Sequence, residues 1–162
     1  MIEHLHQIVA DFAMLFEATA TGVTSIGLSR FHNCRGAAYA GNDLATDAEI
    51  RSDLSSMIPG SLLEAVEESL RAILAEMTVG RYRGPLGVDM LIAAGPDGSR
   101  YLVPCVELNL RCTMGFVAHA LRKRLPTAFR RMTVAPFPTG APERDQLPLV
   151  PPNLHFSIVA ER

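Results

Sequence analysis

Residues 84–115 read GPLGVDMLIAAGPDGSRYLVPCVELNLRCTMG, two apolar runs joined by Gly95, Pro96, Asp97 and Gly98. Leu86 to Ala94 is apolar apart from Asp89, and Tyr101 to Leu110 is apolar apart from Glu107 and Asn109. The four turn residues impose a reversal, so the two runs form a β-hairpin in a sheet buried on at least one face. Pro104 has no N–H to give to a strand ladder, which places it at a sheet edge or beside a bulge.

The polar residues of this hairpin carry the chemical information. Glu107 and Asn109 are two apart and project from one face, and the reversal brings Asp89 back toward them. A carboxylate in an apolar strand is costly unless a cation or hydrogen bonds compensate it. Two carboxylates and an amide oxygen suit Mg²⁺, which fills its remaining positions with water and phosphate oxygens. Arg111 shares the face and has the fork geometry to hold a phosphate or acyl phosphate. A solvent-facing polar stripe would give the same spacing, with a Glu107 to Arg111 contact of little consequence.

Outward from the hairpin, Ser61 and Glu64 fit a capping box for a helix to about Val79. Its apolar residues Leu62, Leu63, Val66, Leu70, Ile73, Leu74 and Met77 recur at helical spacing. A shorter helix is expected from Asp47 as N-cap, with Ile50, Leu54, Met57 and Ile58 on one face, ended by Pro59 and Gly60. Residues 29–42 lack either periodicity and read as a loop, while 11–28 read as two antiparallel strands turning at Thr21 and Gly22. Residues 2–9 fit a helical turn or two. Met114 to Leu125 reads as a helix closed by Pro126. The remainder is proline-rich, with a last strand expected from Leu154 to Val159.

With 162 residues, 48% of them hydrophobic, the chain has material for one core, and a single domain over 1–162 is expected, 129–162 being a proline-rich extension. A net charge of −2 gives no global field to attract a nucleic acid backbone. Of the fifteen basic residues only Lys123 is a lysine. Cys34, Cys105 and Cys112 form no CxxC pair or disulfide framework, so a reducing compartment is the expectation, with Cys105 and Cys112 as inert, buried thiols. No apolar run approaches the roughly 20 residues needed to cross a bilayer, and the amino terminus lacks a basic signal region, so a soluble cytoplasmic protein without membrane contact is expected.

The stretch GPLGVDMLI, the turn, and PCVELNLRCTMG together resemble the end of an ATP-grasp domain, and the segments 11–31 and 35–46 resemble the stretch before it. The resemblance implies an α+β fold, an antiparallel sheet with helices packed on one face, as the carboxy-terminal ATP-grasp subdomain. It implies ATP and Mg²⁺ as cofactors, with Asp89, Glu107 and Asn109 as metal ligands and Arg111 on the phosphates as the catalytic residue. The activity it implies is that of a ligase joining a carboxylate substrate to an amine or thiol through an acyl phosphate. Arg35 and Asn42, in the Gly-rich segment after residue 29, are further candidates for the cofactor-binding set.

The family's nucleotide site also uses a preceding lobe with a glycine-rich flap and lysines, and this sequence is expected to lack it, Lys123 lying outside the matched motif. The expected partners are therefore a missing amino-terminal lobe or a second copy in a homo-oligomer. The alternative is a non-catalytic module of the same fold that works by self-association or partner binding. His32 and Cys34 lack the further ligands a zinc site needs. His119 reads as a packed or surface histidine, His4 and His6 as an exposed terminus. Arg122, Lys123 and Arg124 with Arg130 and Arg131 fit a solvated basic helix end.

Overall fold

The computed structural model describes residues 6–34, 38–135 and 155–160. Within them the chain runs β1 (Gln7–Ala18), β2 (Val23–Asn33), β3 (Tyr39–Asp43), α1 (Asp47–Ser55), α2 (Gly60–Thr78), β4 (Gly84–Ala94), β5 (Arg100–Asn109), α3 (Met114–Arg122), β6 (Phe129–Ala135) and β7 (His155–Ala160). The strands form one antiparallel sheet in the order β5-β4-β1-β2-β3-β6-β7.

Alternation in β1 sets the two faces. Phe12, Met14 and Phe16 point to one side and join Leu28, Leu86, Val88, Met90 and Ile92 in the main core, which α1 and α2 close with Ile50, Leu54, Leu63 and Leu74. This is the α+β arrangement the resemblance implied, helices over an antiparallel sheet. Helix α3 lies across the other face, where Gly115 sits against Leu15 and Ser29. A smaller cluster of Leu44, Ala118, Met132 and Ile158 anchors it beside β3 and β6.

Several boundaries differ from the sequence reading. Residues 7–9 are strand, and the register shifts between Ile8 and Ala10 because Val9 is an extra residue in β1. That bulge turns Ile8 to the face of Asp11 and Ala13, and it hides the strand rhythm from sequence. The expected loop 29–42 holds the end of β2 and the start of β3, and its residues 35–37 lie outside the described residues. Phe129–Ala135, expected to be loop, is β6. It pairs with β3 on one side and β7 on the other.

The helix ends also differ. Thr46, not Asp47, caps α1: its hydroxyl accepts the Glu49 N–H at 3.2 Å, and the Glu49 carboxylate accepts the Thr46 N–H at 2.7 Å. Asp47 instead accepts the Leu28 N–H at 2.7 Å, closing part of the β2 edge beyond the reach of β3. Helix α2 starts after Pro59 with no side-chain cap, so the Ser61 capping box does not form. Its outer turns leave Leu62, Ile73 and Met77 exposed. Arg122 is half-buried, not solvated, and donates to the carbonyls of Leu44 and Phe129 at 3.2 and 2.9 Å, tying α3 to the sheet.

Losing the α1 cap has a definite expected result. Thr46→Ala removes one side of a reciprocal pair and costs about 1 kcal/mol. A melting temperature about 2–4 °C below the parent is expected in a thermal scan, and an unchanged value would show that α1 is held by packing alone.

Candidate functional site

Hairpin β4–β5 places the four polar residues of the opening stretch at one end of the sheet. Asp89 and Glu107 are direct cross-strand partners, and Gly87 is the partner of Asn109. Alternation sends Val88 and Met90 into the main core, so Asp89 faces the other way, onto the side that carries α3. Asn109 is 6% exposed and its amide donates to Asp89 at 3.2 Å. Glu107 and Arg111 are exposed, and no ion pair joins them.

Strand β5 is an edge strand among the described strands. Between the pairs Asp89 with Glu107 and Leu91 with Val103 it carries three residues opposite Met90 alone, and Pro104 is one of the three. The proline is thus both at the edge and in the bulge, as its missing N–H requires. The bulge adds two residues, an even number, so Glu107 keeps its side of the sheet. Cys105 in this bulge and Cys112 after the strand are exposed, against the expectation of buried thiols, and Cys34 is exposed as well.

These residues line a pocket of about 570 Å³. Asp89, Glu107, Asn109 and Arg111 form one wall, Ala13 and Asp11 of β1 the floor, and Ser29, Tyr39 and Asn42 the opposite wall, with Thr113, Met114 and Gly115 of α3 at the end. Asn42 thus lines the same pocket, whereas Arg35 lies outside the described residues. Asp11, Ser29 and Thr113 went unnoticed in the sequence. Asp11 could have been found, since it lies two residues from Ala13 on a strand already recognised, whereas Ser29 falls where the strand pattern fades. His119 is half-buried and outside the pocket lining, and His6 meets the Tyr101 hydroxyl at 3.0 Å.

The electrostatics of the acidic wall fit a cation. Burial raises the Asp89 pKa to about 6, and the adjacent Glu107 charge adds to the effect. Arg111 and the Asn109 hydrogen bond oppose it, and Asp11 raises it further. Burial likewise raises Asp11, against its Asn33 hydrogen bond and the nearby His32. No described group of three His, Cys, Asp or Glu side chains could form a metal cage. Two carboxylates and an amide oxygen on an open pocket wall still match Mg²⁺, which keeps several water or phosphate ligands.

The raised Asp89 pKa makes a stability prediction. The folded state holds its proton more tightly than the unfolded chain, so the penalty for ionising Asp89 is absent below about pH 4 and complete above about pH 6. Asp89→Asn is therefore expected to raise the melting temperature near neutral pH in metal-free buffer, with the gain vanishing on acidification to about pH 4. A gain independent of pH would place its origin elsewhere.

A solved structure from Archaeoglobus fulgidus, provisionally assigned to the ATP-grasp superfamily, superposes on this chain with a TM-score of 0.51. It has 19% identity and covers 99% of this chain and 48% of its own. The chain has an ATP-grasp-like fold. It spans about half the length of that ATP-grasp relative. N5-carboxyaminoimidazole synthetase from Staphylococcus aureus, solved with ADP, is more distant. It has a TM-score of 0.44 and 14% identity over 83% of this chain and 36% of that one. No protein-family model and no curated protein sequence matches the chain. No described helix is long and apolar enough to cross a membrane.

Proposed function

We propose that this ATP-grasp-like chain is the metal- and phosphate-binding half of an ATP- and Mg²⁺-dependent ligase that joins a carboxylate to an amine or thiol. The observation that carries the reading is the direct pairing of Asp89 with Glu107 on a pocket wall shared with Asn109 and Arg111. Mg²⁺ at this wall would neutralise charge on the ATP phosphates. Asp89 and Glu107 supply the anionic oxygens for it, and Asn109 supplies its amide oxygen while its NH₂ orients Asp89. Arg111 makes no hydrogen bond or ion pair with the described residues and stays available to the phosphoryl group as it passes to the substrate carboxylate. The resulting acyl phosphate is then open to an amine or thiol. Adenine contacts and lysines would come from a further lobe, consistent with the half-length match.

The reading is tested by calorimetric titration of the chain with ATP, with and without Mg²⁺. Magnesium-dependent binding is expected, and absence of binding under both conditions would refute the claim that this half binds nucleotide by itself.

A second reading, a non-catalytic module acting in self-association or partner binding, is favoured by exposed apolar residues. Ile8 and Val106 on the pocket rim are 52% and 57% exposed, and Ile73 and Met77 stand out from α2. Light scattering on the chain at micromolar concentration tests this second reading: an oligomer is expected, and a strict monomer counts against it.

A further inference from the structure

The pocket wall opposite the acidic pair has its own hydrogen-bond order. Asn42 is 1% exposed and fully engaged: its Oδ1 accepts the Tyr39 hydroxyl, and its Nδ2 donates to Ser29 Oγ at 2.7 Å and to the Arg30 carbonyl at 3.1 Å. The Arg30 carbonyl can only accept, so the amide orientation is fixed and Ser29 Oγ must be an acceptor toward Asn42. The Ser29 hydrogen is left to point elsewhere, and no described residue receives it. Ser29 is 3% exposed, so this buried donor faces the pocket it lines and has no bulk water to satisfy it.

The surroundings specify what would accept that hydrogen. Thr113 Oγ1, at the start of α3, is buried and has no partner, and Thr113 does not cap the helix with its side chain. Gly115 in the first turn lies so close to Ser29 that a Cβ there would be 2.9 Å from Ser29 Oγ. Arg111 lines the same pocket and makes no ion pair with the described residues. A buried hydroxyl donor, an uncapped helix start and a free guanidinium together favour a negatively charged oxygen.

The register gives the spacing. Glu107, Asp89, Ala13 and Ser29 belong to one cross-strand row, in which Asp89 pairs with both Glu107 and Ala13, and Ala13 pairs with Ser29. Asp89 and Ser29 are two strands apart, roughly 10 Å, with only the methyl of Ala13 between them. That separation lets a cation at one end and an anionic group at the other share the pocket.

We infer that Ser29 is a ligand-contacting residue that donates to a carboxylate or phosphoryl oxygen in this pocket, and that Asn42 and Tyr39 are the positioning residues that hold its hydroxyl. The inference rests on the proposed reading of this pocket as a ligand site, though not on the cation at its acidic end, and it changes the role of Asn42 from ligand contact to support.

The test is a set of amide-shift NMR titrations of the whole chain with acetate, inorganic phosphate and Mg²⁺ in turn. Saturable shifts at Ser29 and Gly115 are expected with acetate if the group is a carboxylate and with phosphate if it is a phosphoryl group. Ser29→Ala should weaken that binding about tenfold, the loss of one hydrogen bond to a charged group, with Mg²⁺ shifts at Asp89 and Glu107 unchanged. Tyr39→Phe, which keeps the ring and frees Asn42 Oδ1, should weaken it by a smaller factor. If Ser29→Ala does not fold, Tyr39→Phe decides the matter alone. Parent-like anion affinity in the folded variants, or no saturable shift with either anion in the parent, overturns the inference. Anion shifts that persist while Mg²⁺ gives none would refute the cation site and leave Ser29 standing.

Discussion

Glu107→Gln is expected to weaken magnesium-dependent nucleotide binding by about 100-fold or more. Loss of a mere supporting group around a metal already costs about 10–100-fold, and Glu107 would supply one of two anionic oxygens. The amide that replaces it keeps the shape but offers a neutral oxygen, so both the charge and the relief of repulsion with Asp89 are lost. Because Glu107 is exposed on an edge strand and forms no ion pair, the fold should change in stability by less than about 0.5 kcal/mol. Calorimetric titration alongside a thermal scan separates the two effects. Unchanged affinity in the presence of Mg²⁺ would remove Glu107 from the site.

Gly41→Ala is expected to destabilise the fold by roughly 3–5 kcal/mol, the size reserved for severe clashes and backbone strain. Gly41 has φ +150° and pairs with His32 on one side and Thr133 on the other. A Cβ built there would lie 2.0 Å from the Met132 carbonyl oxygen, a backbone atom held by its own strand. Relief requires β3 and β6 to part, and β7 follows because it pairs only with β6 among the described strands. The adjacent Asn42 would shift too, so the Ser29 wall should be disturbed along with stability. Thermal unfolding measures the effect, and a melting temperature equal to the parent's would show that the two strands can separate at little expense.

What the sequence made legible follows from where each strand is buried. The β4–β5 hairpin and the middle of β1 read correctly because one face meets the main core and the pattern alternates cleanly around Phe12, Met14 and Phe16. The end of β2 carries Ser29, Phe31 and Asn33 on the pocket side and Arg30 and His32 on the other, so Phe31 stands alone among polar residues and neither face supplies the apolar rhythm that marks a strand. Both polar sets belong to tertiary contacts: Asn33 donates to Asp11 at 3.2 Å, and His32 meets Asp43 at 2.7 Å. In β6, Met132 is fully buried but stands after Arg130 and Arg131, which masks the strand.

The site was legible to the same degree. Asp89, Glu107, Asn109 and Arg111 sit at a fixed spacing on two adjacent strands, which sequence can show. Ser29 and Thr113 enter through the order of strands and the placement of α3, and local spacing carries no trace of either. Helix α2 was read correctly from its periodicity, but periodicity alone did not show that Ile73 and Met77 of the apolar stripe stay exposed.

The bulge at Pro104 has a consequence for solubility. Strand β5 ends the sheet, and an open strand edge invites a second chain to add to it, the first step of aggregation. Here the midpoint of that edge offers a proline without an N–H and a run of three residues out of step with β4. An incoming strand could pair on either side of this interruption but not along its length. The strand that presents Glu107 and Asn109 can therefore stay open to small molecules while remaining a poor template for its own kind.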